Sequence, residues 1–231
     1  MKNNTDARSQ IRFGGFNEDL FVDKHSLQWI PTTSPSSWKI VVHSINFNGD
    51  DVLQESSTAL INPGFPYIAA PFTEFKRFKT DLKYAHATLK CEEESNGLCY
   101  FKKTCQSLAD RLPPLIFTLG PETRKQEYTV PASSFLFTDP IHADRCYLGV
   151  LGQSFNDMDY WVLGGSFLQN YYVAFDASRD EPYVGITLEA GSDARVIPIL
   201  PDNTVARDIG IIVTSIVGLA ICVVCVCWCR M

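Results

Sequence analysis

Short apolar runs closed by Gly, Pro, Asn or Asp punctuate residues 11–188, the pattern of strands and turns rather than long helices. Residues 11–16 alternate apolar with polar and reach Gly14-Gly15, which suits a turn. Residues 27–31 predict a short strand, and residues 38–47, rich in β-branched side chains, predict a longer one. Asn48-Gly49-Asp50-Asp51 then gives a strong hairpin-turn signal, with the return beginning at Val52 and Leu53. Ala59-Leu60-Ile61 leads into a tight Asn62-Pro63-Gly64 turn, and a second apolar stretch stops at Pro71. A run this apolar predicts a strand buried on both faces, with its turn deep inside the domain. From residue 72 the period changes: apolar residues at 72, 75, 78 and 82 predict a helix. Lys76, Arg77 and Lys79 fall on its other side, read as a solvated face rather than a binding patch. Residues 91–105 read as a charged loop carrying Asn96-Gly97.

The last part of the chain is different. Residues 189–208 form a polar linker with Gly191, Pro198 and Pro201. Residues 209–228 are twenty residues without a charge, about 30 Å as a helix, enough to cross a bilayer. Only Cys229-Arg230-Met231 follow, and Arg230 weakly places that end in the cytoplasm. Cys225, Cys227 and Cys229 are candidates for acylation. A glycolipid-anchor signal also ends in an apolar tail, and Gly191-Ser192-Asp193-Ala194 supplies small residues upstream, so that alternative stays open.

Composition adds three constraints. The net charge of −6 argues against a nucleic-acid partner. Cys91, Cys99, Cys105 and Cys146 form an even set in the main domain, separate from the tail cysteines. No Cys-x-x-Cys pair and no His at ligand spacing accompanies them, which favours disulfides over a zinc site; no metal or other cofactor is expected. Residues 1–10 are polar, read as a disordered terminus, and hold no secretory signal; Asn3-Asn4-Thr5 there is the one glycosylation sequon. Disulfides without a signal imply either a piece of a longer precursor or a domain that stays in the cytosol.

The order of motifs resembles the C-terminal lobe of pepsin-like aspartic proteases. Phe13-Gly14-Gly15, Leu27-Gln28-Trp29-Ile30-Pro31 and the Trp38 strand follow one another with near-family spacing. Leu112-Pro113-Pro114-Leu115-Ile116-Phe117, the strand from Tyr128 to Phe135 and the closing Tyr183-Val184-Gly185-Ile186-Thr187 continue the series. Trp161-Val162-Leu163-Gly164-Gly165-Ser166-Phe167 through Tyr171-Tyr172 to Phe175-Asp176 is the strongest match. The resemblance covers about residues 11–188. It implies an all-β fold, one pepsin-like lobe, here followed by the single transmembrane helix that residues 209–228 predict, with the main domain lumenal or extracellular if the full gene supplies a signal peptide. It pairs Cys105 with Cys146 in the family's manner, and adds Cys91–Cys99 as a local bridge. It sets Gly164 beside the active-site loop, where a side chain would collide.

The resemblance also implies what is lost. Asn62 stands at the family's catalytic aspartate, Pro63 at a buttressing Thr or Ser, and Phe65 at the next hydroxyl; Gly64 survives. Family members use two aspartates, one per lobe, that share a proton and activate water for peptide hydrolysis. An amide cannot gain or lose a proton near neutral pH, so Asn62 cannot be a general base. Pro63 has neither N–H nor hydroxyl for the bonds that lock the family's two loops. The expected active-site loop is thus Asn62, Pro63, Gly64, Phe65 and Gly164, with no catalytic residue intact. Whether the protein is an enzyme is left open. One reading is the lobe of a membrane-anchored endopeptidase that needs a missing N-terminal lobe. The other is a non-catalytic relative that binds a peptide or protein. His25, His43, His86 and His142 are scattered without a nucleophile, and Asp176 at a strand end suits a turn or cap.

Overall fold

Strand Trp161–Leu163 lies between two strands that are neighbours in sequence, and the rest of the architecture follows from this insertion. It runs parallel to Ser57–Ile61 and antiparallel to Ile68–Pro71. Those two strands therefore cannot pair with each other, and the segment between them must arch over the end of Leu163. The computed structural model describes residues 10–23, 26–85, 89–91, 99–138, 144–153 and 159–199. Among these, the largest sheet runs Val150–Gln153, Ile68–Pro71, Trp161–Leu163, Ser57–Ile61, Lys39–Phe47, Leu115–Leu119, Gln126–Val130, Val196–Pro198, with Asp50–Asp51 also paired to Lys39–Phe47. A three-stranded sheet, Gln28–Pro31, Tyr183–Leu188 and Tyr171–Asp176, and a four-stranded one, Leu136–Thr138, Cys146–Leu148, Cys99–Phe101 and Leu89–Cys91, complete the mostly β fold.

Most predicted elements fall where the pattern put them. Lys39–Phe47 alternates buried Ile40 and Val42 with half-buried neighbours, then shifts register between Val42 and Ser44 to bury Ile45 and Phe47. Its turn has Asn48 at φ 57° and Gly49 at φ 92°, the two positive values that a tight hairpin needs. The return is shorter than expected: Asp50–Asp51 is the strand, while Val52 and Leu53 drop into the core. The Asp51 carboxylate causes the drop by accepting the N–H groups of both Ile45 (3.3 Å) and Leu53 (3.1 Å). The helix is Phe72–Ala85, with Phe75, Phe78 and Leu82 buried and Phe72 exposed under the Lys76 ammonium, 4.3 Å from its ring. Lys79 lies 5.8 Å over Phe75, and Arg77 reaches Val52 O, so the basic side chains serve local contacts.

Four expectations are corrected. Ile11 and Phe13 form no strand and are 87% and 91% exposed, although Gly14 and Gly15 do turn the chain with φ of 75° and 151°. Ser57–Ile61 is not buried on both faces: Ala59 and Ile61 are buried, while Ser57, Thr58 and Leu60 are partly open. Residues 91–105 are not all loop, since Leu89–Cys91 and Cys99–Phe101 pair as strands. The stretch read as linker from Glu189 holds a further strand, Val196–Pro198, that closes on Gln126–Val130, with Ala194 buried. Short apolar segments inside polar stretches carry too little periodicity to predict such edge strands. The expected membrane segment, residues 209–228, lies outside the described residues; no described helix is long and apolar enough to cross a bilayer.

Aromatic rings fill the centre. Phe117 packs edge-on against Trp161 and Phe167, with centroids 6.0 and 5.5 Å apart. Trp161 is fully buried, and its indole N–H donates to Glu74 at the start of the helix. Burial raises the Glu74 carboxyl above its ordinary range, although the Trp161 bond and Arg77 pull it down. Burial also raises Glu189, and burial and the charge of Asp50 raise Asp81. A carboxyl raised on folding holds its proton more tightly in the folded state. Its stabilisation is therefore complete below the unfolded value, 4.5 for Glu74, and is lost as pH rises through the folded value. Asp176 and Glu122, lowered by Ser178 and Lys125, act in the opposite sense from the surface. The thermal midpoint should rise between neutral pH and mildly acidic pH, and Glu74→Gln, which keeps an acceptor for Trp161, should flatten that rise. Glu74→Ala should instead cost about 1–3 kcal/mol at every pH, the penalty of a buried N–H without a partner. Thermal melts of the three proteins across pH check both expectations.

Candidate functional site

Asn62 ends strand Ser57–Ile61, and its own N–H donates to Leu163 O at 3.1 Å. Asn62 O accepts the Phe65 N–H at 3.2 Å, which closes a four-residue turn with Pro63 and Gly64 at its centre. Proline at the second position presets φ for this turn. Gly64 does not adopt positive φ, and a Cβ there would stand 3.3 Å from Asn62 Oδ1. The loop does not sit deep inside the domain as expected. Pro63, Gly64 and Pro66 are exposed, because the arch over Leu163 turns its crest outward.

The side chain of Asn62 is oriented by one bond. Its Oδ1 accepts the Gly64 N–H at 3.0 Å, so its Nδ2 points the other way, as a donor that no described residue engages. A carboxylate in this position would present acceptors only; the amide presents a donor.

From below, the loop is held by the residues that follow Leu163. Three consecutive N–H groups donate to three loop carbonyls: Gly164 to Tyr67 O (3.1 Å), Gly165 to Phe65 O (2.7 Å) and Ser166 to Pro66 O (3.0 Å). The approach leaves no room for side chains. A Cβ on Gly164 would stand 2.1 Å from Phe65 O and 2.4 Å from Tyr67 O; one on Gly165 would stand 2.7 Å from Pro66 O. The Asn62 loop and Gly164 are thus in direct contact. The two other bonding residues, Gly165 and Ser166, lie in the strongest motif match but outside the expected active-site loop, although a double glycine after an apolar strand is a signal of close backbone approach. Also unforeseen is an aromatic series: Phe65 meets Tyr67 edge-on at 6.1 Å, and Tyr67 meets Phe137 at 5.3 Å.

The remaining candidates are not brought to this loop. His43 bonds Gly120 O at 2.7 Å and lies 3.4 Å from Glu122; His25, His86 and His142 fall outside the described residues. Asp176 accepts from Ser178 N (2.9 Å) and Ser178 Oγ (2.6 Å), which lowers its carboxyl and makes it a turn cap. Among the described residues no group of His, Cys, Asp and Glu could hold a metal ion.

Two disulfides are formed, Cys91–Cys99 and Cys105–Cys146. The first joins directly opposite residues of two paired strands. The second ties the start of helix Cys105–Ala109 to strand Cys146–Leu148. Their sequence separations are 8 and 41 residues. In the chain-entropy account, removal should cost about 2.5 kcal/mol for the short loop and about 4 kcal/mol for the long one. Denaturant midpoints of Cys91→Ser/Cys99→Ser and Cys105→Ser/Cys146→Ser should fall in that order.

Comparison with known proteins agrees with the motif order. The family described as eukaryotic aspartyl protease matches residues 1–188. Pepsin II-1 of Oryctolagus cuniculus is 25% identical over 193 residues, covering 82% of this chain and 44% of its own length. Pepsin A of Callithrix jacchus is 26% identical over 184 residues, covering 78% of this chain and 43% of its own. Pepsin A of Bos taurus is likewise 26% identical over 184 residues, with 78% and 44% covered. The chain thus spans less than half the length of these relatives.

Proposed function

The chain belongs to the eukaryotic aspartyl protease family, and on that premise we propose that it is the C-terminal lobe of a membrane-anchored pepsin-like protease whose catalytic aspartate has become Asn62, and that alone it does not cleave peptides. The observation that carries this reading is the Asn62 side chain. It stands at the start of the inserted-strand loop, beside the end of Leu163, yet it offers an amide whose oxygen is already engaged by Gly64 N–H. Water activation needs a group that can take a proton, and a carboxyl pair shared between lobes supplies it in the family chemistry. The amide has no such capacity.

The partner in this reading is a first lobe. Ile11 and Phe13 are almost fully exposed, and Trp29 and Tyr183 are only partly buried on the three-stranded sheet; apolar side chains left open in this way suit burial against a second body. The anchor is the uncharged segment of residues 209–228, and the two disulfides favour a lumenal or extracellular domain. Carbonate extraction of cells expressing the chain should leave it in the membrane pellet. Release by phosphatidylinositol-specific phospholipase would replace the transmembrane helix with a glycolipid anchor, and a soluble chain would remove the anchor from the proposal.

A second reading has its own support. The unengaged Nδ2 of Asn62 and the Phe65, Tyr67 and Phe137 rings give the loop one donor and an aromatic surface, features that bind peptide without cleaving it. Calorimetric titration with unstructured peptides separates the two: saturable binding that Asn62→Ala weakens favours the binding module.

A further inference from the structure

Among the described residues, two asparagines precede residues of opposite chemistry, Asn48 before Gly49 and Asn62 before Pro63; the other Asn-Gly pair, Asn96-Gly97, lies outside them. We propose that Asn48 is a site of spontaneous deamidation and that Asn62 is protected from it. In this reaction the backbone nitrogen of the following residue attacks the side-chain carbon Cγ. A Cγ–N bond forms, the nitrogen gives up its proton, the Cγ–Nδ2 bond breaks, and ammonia leaves. Water then opens the succinimide ring at either carbonyl and yields aspartate or isoaspartate. One water enters, one ammonia departs, and nothing is oxidised or reduced.

The hairpin supplies what this requires. Asn48, Gly49 and Asp50 are all exposed, and nothing lies within 4 Å of where a Gly49 Cβ would be. The turn is therefore open around Gly49. One contact restrains its nitrogen: Gly49 N–H donates to Asn46 Oδ1 at 3.1 Å. That bond is exposed, and the return strand is only Asp50–Asp51, so local opening releases it without unfolding the domain. At Asn62 the following nitrogen belongs to proline and has no proton to lose, so the neutral ring cannot form. A carboxylate therefore does not arise at position 62 by this cyclic route, and only the much slower direct hydrolysis of the amide is left.

The conversion alters the hairpin. A new carboxylate joins Asp50 and Asp51, and the charge of Asp50 already acts on Asp81 of the helix. Isoaspartate adds a methylene to the backbone inside a turn whose flanks are in tight register, Phe47 with Asp50 and Asn46 with Asp51. The Asp51 carboxylate that holds Ile45 and Leu53 is then displaced.

The test holds the purified full chain in detergent, folded or unfolded in urea, in mildly alkaline buffer at physiological temperature. Peptide mapping by mass spectrometry follows NH replaced by O at each asparagine. In the folded chain the Asn48 peptide should split into aspartate and isoaspartate forms, while the Asn62 peptide keeps its mass. Asn46→Ala, which frees the Gly49 N–H, should speed conversion several-fold, and Gly49→Ala should slow it. An Asn48 that stays intact in the folded chain while the unfolded chain loses most of that amide would overturn the proposal. Conversion of Asn62 at the rate of Asn48 would overturn its second half. The folded and unfolded wild-type comparison needs no variant, so misfolding of either variant leaves the test standing.

Discussion

Gly164→Ala is expected to destabilise the domain by more than about 4 kcal/mol, beyond the usual range for one added methyl group. The added carbon would stand 2.1 Å from Phe65 O and 2.4 Å from Tyr67 O, inside any tolerable contact. Both obstacles are backbone atoms, so no side-chain rotation relieves them. Both carbonyls also accept bonds from Gly165 and Gly164 N–H, and moving the loop away breaks those bonds in the same step. Overpacking alone costs about 1–3 kcal/mol, and each buried polar group left without a partner adds about 1–3 kcal/mol. Gly49→Ala provides the scale. It meets nothing within 4 Å and pays only for positive φ, about 1–2 kcal/mol. Denaturant unfolding of the two variants should therefore differ by several kilocalories per mole. Equal losses would mean that the loop and the Gly164 strand end are not in the contact described.

Asn62→Asp is expected to leave the isolated chain without protease activity. General-base help from one carboxylate is worth roughly 10²–10⁴-fold, but the family reaction needs a pair, with positioning and electrostatic stabilisation from both sides of a cleft. Restoring one carboxylate supplies neither the partner nor the cleft. The loop also resists repair. Pro63 still lacks an N–H and a hydroxyl, and Phe65 packs on Tyr67 where the family has a hydroxyl residue. The new carboxylate would accept the Gly64 N–H as the amide does, which fits it into the turn without making it a base poised toward water. A chain carrying Asn62→Asp, Pro63→Thr and Phe65→Thr, mixed with a complementary first lobe, is the smallest repair consistent with this view.

Strands with internal alternation, such as Lys39–Phe47, and turns with forced φ, such as Asn48-Gly49, were legible because each residue carried its own local cause. The helix Phe72–Ala85 was legible from its period, although Phe72 proved exposed, its ring covered only by the Lys76 ammonium. What escaped was set by distant partners. Val196–Pro198 becomes a strand only because Gln126–Val130 offers it an edge. The depth of the Asn62 turn was misjudged for the same reason: its apolar flanks indicate buried strands, but the insertion of Trp161–Leu163 between them pushes the crest outward. Contact between Gly164 and that loop followed from family resemblance; the double glycine signals a close backbone approach but does not say which segment approaches. The identity of Asn62 needed no structure, yet the direction of its amide did, since only the Gly64 bond fixes which atom faces out.

The most direct measurement is peptide cleavage by the purified chain without residues 200–231, assayed from strongly acidic to neutral pH with and without an inhibitor that mimics the tetrahedral intermediate. The expected result is no inhibitor-sensitive cleavage at any pH, from either the wild-type chain or the Asn62→Asp variant. Inhibitor-sensitive cleavage that the wild-type chain shows and an Asn62→Ala control lacks would contradict the account, for it would mean that two copies, or another carboxylate, assemble a working dyad around this loop.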